Sequence, residues 1–272
     1  MGTDILLDFM KHFDPEYSQR DPRVLEAILR VDRKLFLDDE VFPLIVVDTQ
    51  KWFAAKDIYV KIVINGQFKI PDELRQALDS LFRTDKIYLA EVSGLAYSNH
   101  ALPIGNGNKE TSSEPSVVAK MADILDLREG LNVLEGGTGY GYHAVVTAYL
   151  IGETGRLVSV EINPRLAQAA SKNLKAQFGD GIEQRIRIIE GDIMQSVETL
   201  TPNFDRIYLT AAVDSNGFDI GKLTNRLREG NGTILFPETR RNLVWKRYEG
   251  GVQVDERTYS SYEFVPLQKK DA

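Results

Sequence analysis

The chain has 272 residues, of which 43% are hydrophobic, and it carries a formal net charge of −7 with no cysteine. This length predicts one large domain, or one domain with an appendage, and the hydrophobic content is sufficient for a real core. The absence of cysteine excludes disulfides, thiolate zinc sites and a cysteine nucleophile, and three scattered histidines argue against a histidine site, so we expect no metal.

The charge and hydropathy patterns predict a protein that binds neither nucleic acid nor membrane. Bulk negative charge disfavours nucleic acid, and the densest basic run, between Arg240 and Arg247, is more typical of a solvated face. No apolar run approaches the ~20 residues needed to span a bilayer, and the N-terminus lacks the basic region of a signal peptide. We therefore expect a soluble cytoplasmic protein, whose oligomeric state the sequence leaves open.

Residues 1–40 are predicted to form an N-terminal helical segment, because apolar residues recur at helical spacing and Asp21-Pro22 is typical of a helix start. Residues 41–95 change character and are interpreted as an inserted α+β element. This element is predicted to contain a hairpin over 59–70 with an Asn-Gly turn, followed by a helix that starts at Pro71.

Residues 96–272 are predicted to form one α/β domain. A loop over 101–116 and a helix over 117–127 lead into a regular alternation of strands and helices. Short connections between alternating elements predict a mostly parallel sheet with right-handed crossovers, and a final hairpin adds an antiparallel C-terminal edge. The predicted strands cover 131–134, 156–162, 185–189, 204–210, 232–236, 243–248, 252–256 and 263–267, and the predicted helices cover 164–177 and 218–227.

A glycine-rich turn follows the first strand of this domain, with glycines at 137, 139 and 141. Glycine is needed where the backbone takes positive φ or a ligand comes close to the main chain, and open α/β sheets bind ligands at the carboxyl ends of their strands. The spacing differs from the G-x-G-x-x-G of dinucleotide sites. Glu135 precedes the turn and no lysine or arginine lies between it and His143, so a cationic sulfonium suits the turn better than a pyrophosphate.

Two further acids follow the next two strands. Glu161 could accept from ribose hydroxyls, and Asp192 could face an adenine. Helix capping could explain any one of these acids, but hardly all three together with the glycines. The sequence therefore predicts S-adenosylmethionine as cofactor and a Rossmann-like class I methyltransferase fold with a mostly parallel seven-stranded sheet. The predicted cofactor-binding residues are Glu135, Gly137, Thr138, Gly139, Tyr142, Glu161, Ile162, Asp192, Ile193 and Thr210.

Several motifs along the chain resemble the protein-L-isoaspartate (D-aspartate) O-methyltransferase family. The resemblance implies a carboxyl O-methyltransferase that methylates L-isoaspartyl residues of damaged proteins or peptides, after which the ester cyclises to a succinimide and the residue is repaired. It nominates Ser113 as the catalytic residue and Thr111, Ser112 and Asn242 as substrate-binding residues. The motifs are DPRVLEA at 21–27, ALPIGNG at 101–107, TSSEP at 111–115, EGGTGYGY at 135–142, DRIYLTAA at 205–212 and FVPL at 264–267.

The departures from the family pattern lie mostly on the substrate side and leave the methyl acceptor open. The 108–110 segment is two residues longer, Ser112 stands where the family has Ile, and Gly136 replaces an aliphatic residue. An alternative acceptor is the aspartate carboxylate of a modified peptide, with the insertion as recognition element; a non-catalytic binding module is a third hypothesis, disfavoured by the complete cofactor set. Ser113 fits equally well as the N-cap of the helix near Pro115, and His143 is more typical of packing than of catalysis.

Overall fold

The computed structural model describes residues 10–11, 16–37, 45–47, 60–62, 101–104, 110–201, 203–214 and 218–269. Most of the predicted hairpin over 59–70 and the predicted helix from Pro71 lie outside these residues. The division into 1–40, 41–95 and 96–272 therefore stays a prediction.

Six α-helices have both ends within the described residues. The three that start on proline are typical of the N-terminal preference of that residue, and two of them are capped by side chains, since Asp21 and Asn163 accept from the amide two residues on. The helices are α1 (Pro22–Arg30), α2 (Pro115–Leu125), α3 (Tyr142–Leu150), α4 (Pro164–Phe178), α5 (Ile193–Ser196) and α6 (Ile220–Thr224).

The strands form one large sheet and two small antiparallel pairs. They are β1 (Ile45–Val47), β2 (Val60–Ile62), β3 (Leu102–Ile104), β4 (Glu110–Ser112), β5 (Asn132–Gly136), β6 (Arg156–Glu161), β7 (Ile186–Glu190), β8 (Arg206–Leu209), β9 (Gly232–Glu238), β10 (Asn242–Glu249) and β11 (Val252–Ser260). The seven-stranded sheet has the order β11-β10-β9-β8-β5-β6-β7. Strands β5 to β9 are parallel, and β10 and β11 are antiparallel, which confirms the predicted fold class.

The strand order reverses between β5 and β8, since the chain runs outward from β5 to β7 and then returns to start β8 on the other side of β5. In open α/β sheets the ligand crevice lies at such a switch point, outside the carboxyl ends of the strands. The glycine turn is therefore placed at this crevice by the topology of the sheet.

Apolar side chains pack on both faces of the sheet. Alternate residues of β5 show this division: Val133 joins a cluster with α1, α2 and α3, whereas Leu134 joins a cluster with α5 and α6. Helix α3 is buried nearly all round, because α1, α2 and α4 pack against it in addition to β6 of the sheet. The N-terminal helix thus belongs to the layer that shapes the crevice.

Three element predictions need correction. The 101–116 segment is not wholly a loop, because β3 and β4 pair within it and α2 already begins at Pro115. The helix over 218–227 is shorter, spanning only α6. Residues 263–267 form no strand: Ala212 donates to Val265 and accepts from Leu267, leaving a single bridge at Pro266. Pro266 has no amide hydrogen, which limits how far such pairing can extend.

Candidate functional site

A cleft lies at the carboxyl ends of β5, β6 and β8 and, together with the solvent at its mouth, encloses about 810 Å³. Among the described residues its lining contains no lysine or arginine. The predicted cofactor residues that line it are Gly137, Thr138, Gly139, Tyr142, Glu161, Ile162, Ile193 and Thr210.

The glycine turn is held by a side chain from the neighbouring strand. Gly137 has φ +96°, and the Thr210 hydroxyl donates to its carbonyl at 2.5 Å. A Cβ added at Gly137 would lie 2.3 Å from that same hydroxyl oxygen. Gly136 is restricted by packing instead, since a Cβ there would lie 2.6 Å from a methyl carbon of Leu209 and 2.9 Å from Ile193. The glycine at position 136, which stands where the family pattern has an aliphatic residue, therefore fits the space that Leu209 and Ile193 leave.

Glu161 presents a preorganised carboxylate at the end of β6. One carboxylate oxygen accepts from the Gly139 amide at 2.8 Å and the other from the Asn163 amide at 2.9 Å. Burial raises the pKa of the Glu161 carboxyl, and the hydrogen bonds from these backbone amides lower it. Each oxygen keeps acceptor capacity, so the side chain can take hydroxyl donors from a molecule in the cleft.

Glu135 and Asp192 do not line the cleft. Asp192 accepts from the Met194 amide at 2.8 Å and caps α5, which is the capping role that the sequence left as an alternative. Glu135 is fully buried and accepts from Ser159, directly opposite it on β6, at 2.5 Å. Contact of either acid with a cofactor stays a prediction.

Arg33 is hydrogen bonded to the backbone of residues 112–113, which include the predicted catalytic residue Ser113. This arginine has no exposed surface and donates to the carbonyls of Ser112 at 3.3 Å and Ser113 at 3.0 Å. Its guanidinium lies 5.5 Å from the centre of the Tyr142 ring. Burial lowers the pKa of Arg33 to about 10, so it remains charged at neutral pH. The backbone carbonyls of residues 112–113 are therefore hydrogen bonded to a buried positive charge.

Ser113 is not the N-cap of α2. Glu114 occupies that position and makes no side-chain capping bond, so the capping interpretation of Ser113 is wrong. Ser113, with Thr111 and Ser112, lines the cleft. The Ser112 hydroxyl is buried and has no hydrogen-bond partner in the described part of the chain, which leaves it available to a bound molecule.

A second cleft adjoins the first. Thr111 and Ser113 line both, so they form the junction between them. Its other walls include Arg20, Glu114 and Arg241, together with residues 260–264. Asn242 lines neither cleft; its side-chain oxygen accepts from Ser260 at 3.3 Å.

Sequence reasoning missed several cleft residues. Glu110 lines the cleft and accepts from the Asn163 side chain at 3.2 Å. Residues 265–268 also line it, brought there by their hydrogen bonds to Ala212; the FVPL motif was an available signal. His143 lines the cleft with its ring 4.6 Å from that of Tyr208, and burial lowers its pKa to about 3, so it is neutral.

Two further observations on the described residues concern a membrane span and a metal site. They contain no helix that is long and apolar enough to cross a bilayer. In the same part of the chain, no group of three or more histidines and acids is arranged to hold a metal ion.

Comparison with known proteins gives consistent matches. A model of the family described as protein-L-isoaspartate(D-aspartate) O-methyltransferase matches residues 54–272. Protein-L-isoaspartate O-methyltransferase 1 of Archaeoglobus fulgidus is 42% identical over 179 residues, covering 65% of this chain and 76% of the relative. The protein-L-isoaspartate O-methyltransferase of Hyperthermus butylicus is 35% identical over 236 residues, covering 80% and 90%.

Solved structures match in fold over nearly the whole chain. A Plasmodium falciparum protein, described as a putative protein-L-isoaspartate O-methyltransferase in complex with S-adenosyl-L-homocysteine, has a TM-score of 0.65 at 17% identity, covering 99% of both chains. Another structure, a protein-L-isoaspartate O-methyltransferase, has a TM-score of 0.65 at 20% identity, and the match covers 98% of this chain and 66% of that one.

Proposed function

Because the chain belongs to the protein-L-isoaspartate(D-aspartate) O-methyltransferase family, we propose that it methylates the carboxylate of L-isoaspartyl residues in damaged proteins or peptides. The family match covers most of the chain and confirms the resemblance that the motifs carried. The alternative acceptor, an aspartate in a modified peptide, is not favoured, since the relatives described above carry the isoaspartate name.

Members of this family use S-adenosylmethionine, which confirms the predicted cofactor, and the first cleft fits it. Glu161 offers a carboxylate held by two backbone amides, which suits a vicinal diol. The glycine turn allows close approach to the main chain, and the lining lacks lysine and arginine among the described residues, which suits a cation. When bound, S-adenosylmethionine supplies an electrophilic methyl group on a sulfonium centre.

The observation that carries the proposal is the junction at Thr111 and Ser113. These residues line the cofactor cleft and also the second cleft, whose walls carry the charged residues Arg20, Glu114 and Arg241. We assign the second cleft to the polypeptide that bears the acceptor, so that its carboxylate reaches the methyl donor past the Ser113 hydroxyl. Arg33 acts as a positioning residue, because it fixes the carbonyls of the segment that carries this hydroxyl.

The chemistry asks the protein for orientation and exclusion of water rather than for a base. A carboxylate nucleophile has an ordinary pKa of roughly 4 and is already ionised at neutral pH. His143, neutral and packed against Tyr208, is not needed to remove a proton. Hydroxyl and amide donors at the junction hold the carboxylate oxygen in line, and orientation of this kind lowers the barrier of the reaction.

The test is methyl transfer from S-adenosylmethionine to a matched pair of peptides that differ only in an isoaspartyl or an aspartyl residue. We expect strong preference for the isoaspartyl peptide; indifference, or preference for aspartate, would refute the proposed acceptor. Replacing Ser113 by alanine should lower turnover at least tenfold, about the effect of losing one hydrogen bond to a charged group, with nearly unchanged affinity for S-adenosylhomocysteine. Ser171→Ala removes an exposed hydroxyl on α4, outside both clefts, and should change neither quantity.

A further inference from the structure

Glu135 lies behind the wall of the cofactor cleft at the end of a chain of hydroxyl groups. Its carboxylate accepts from Ser159 at 2.5 Å, and Ser159 is hydrogen bonded to Thr138 at 2.5 Å. Ser159 has no exposed surface, whereas Thr138 lines the cleft. Tyr208 lies opposite Glu135 in the register of β8, and its hydroxyl is paired with Thr147 at 2.9 Å. The buried acid is therefore connected to the cleft through two hydroxyl groups.

No cation compensates this acid within the described part of the chain. The titratable groups that act on it are Glu161 on β6 and Tyr208 on β8, and His143 on α3 packs against the Tyr208 ring. The first is acidic, the second is a phenol whose pKa burial raises well above its usual value, and the third is neutral. One carboxyl oxygen of Glu135 also has no hydrogen-bond partner among the described residues. An isolated buried carboxylate is costly unless a charge partner is supplied.

We infer that Glu135 is a neutral carboxylic acid in the free protein and loses its proton when a cationic donor occupies the cleft, so that the site distinguishes the sulfonium of the donor from the neutral thioether of the product. On ionisation the carboxyl O–H bond breaks, the proton passes to solvent, and the negative charge remains on the carboxylate. The inference rests on the cofactor of the proposed function and is independent of its acceptor.

Burial raises the pKa of Glu135 to about 8, against the lowering by the hydrogen bond from Ser159 and by the nearby Tyr208 hydroxyl, which agrees with a neutral acid at pH 7. A cation in the cleft lowers this pKa, so binding releases a proton and tightens as pH rises. For a charge several ångströms away at an effective dielectric constant of about 20, linkage predicts roughly tenfold tighter binding of S-adenosylmethionine at pH 8.5 than at pH 6.5.

The experiment is titration calorimetry of the full chain with S-adenosylmethionine and with S-adenosylhomocysteine, in buffers of different ionisation enthalpy at pH 7. We expect S-adenosylmethionine to release more than about half a proton and S-adenosylhomocysteine to release little, as linkage requires of a group near pKa 8. Equal release by the two ligands would overturn the inference, and this comparison needs no variant. Measuring each ligand from pH 6.5 to 8.5 gives the affinity change independently.

The variant Glu135→Gln tests whether the proton released on S-adenosylmethionine binding comes from Glu135. Glutamine is isosteric with the neutral acid, and circular dichroism checks that it folds. The ammonium groups of the ligands and Glu161 titrate in both proteins, so the difference between wild type and variant isolates Glu135. We expect the extra release on S-adenosylmethionine binding to disappear in E135Q and to persist in Glu190→Gln, a control at an exposed acid on β7. Persistence in E135Q would refute the inference, whereas failure to methylate the isoaspartyl peptide with the proton release intact would refute only the proposed acceptor.

Discussion

Gly137→Ala is expected to destabilise both the fold and the cofactor cleft, by an amount that the geometry allows to be worked out. Gly137 has φ +96°, a conformation that costs an L-residue about 1–2 kcal/mol. The new Cβ would lie 2.3 Å from the Thr210 hydroxyl oxygen, so Thr210 must rotate and give up its hydrogen bond to the Gly137 carbonyl. Losing that bond costs about 1–2 kcal/mol more. We expect the free energy of unfolding to fall by about 2–4 kcal/mol.

Two comparisons separate the backbone term from the steric term in urea unfolding experiments. Gly181 has a similar φ of +89°, but a Cβ added there would meet nothing within 4 Å, so Gly181→Ala should show only the backbone cost of about 1–2 kcal/mol. In a Thr210→Ala background the clash is gone, and the additional cost of Gly137→Ala should shrink to that of Gly181→Ala. If Gly137→Ala destabilises no more than Gly181→Ala, or if the two substitutions at 137 and 210 are additive, the proposed contact does not constrain the turn. Affinity for S-adenosylhomocysteine should fall at least tenfold in Gly137→Ala alone.

Three further outcomes are expected. Glu161→Gln should weaken S-adenosylhomocysteine binding by about ten- to a hundredfold in calorimetry, the worth of hydrogen bonds to a charged group, whereas Glu190→Gln at the exposed end of the adjacent strand should leave it unchanged; equal effects would contradict the assignment of Glu161. Arg33→Met should lower the free energy of unfolding by about 2–4 kcal/mol, because two carbonyls lose a buried donor, while Arg30→Ala, which breaks an exposed ion pair, should cost less than about 1 kcal/mol; similar losses would show that Arg33 is not a structural anchor. The pKa of Glu135 in the folded protein is raised from 4.5 to about 8, so the contribution of Glu135 to the free energy of unfolding is fully present below pH 4.5. This contribution is lost as pH rises to 8, at about 1.4 kcal/mol per pH unit. Unfolding of the free protein should show this decline relative to Glu135→Gln, and parallel pH profiles of the two proteins would contradict it.

The sequence predicted the fold well where the signal was local and repeated. Alternating strands and helices with short connections indicated the parallel sheet, and the order of β5 to β9 confirms it. It failed at 263–267, where an extended apolar pattern suggested a strand. The backbone of that segment bonds instead to Ala212, a residue distant in the chain. Pairing of this kind depends on where the fold brings two segments together, and periodicity carries no information about it.

The sequence predicted those parts of the candidate site that consist of short motifs of neighbouring residues. The glycine turn, Glu161 and the Thr111–Ser113 segment line the cleft as expected. The function of Arg33 beneath the serine segment could not be inferred from the sequence, because a long cationic side chain is ordinarily exposed. Its burial results from the packing of the N-terminal layer over α3, which is a property of the assembled domain.

The sequence by itself determined the class of cofactor and the family of the enzyme, because glycine spacing, the sign of the charge and motif identity are all local properties. Only the tertiary structure decided which of the three strand-end acids meets the cleft. Glu161 reaches it because the Gly139 and Asn163 amides hold its carboxylate there. Asp192 is taken up by the cap of α5, and Glu135 lies opposite Ser159 and Tyr208 in the sheet register. Strand pairing fixes the neighbours of a side chain, and the sequence does not state which strands will be neighbours.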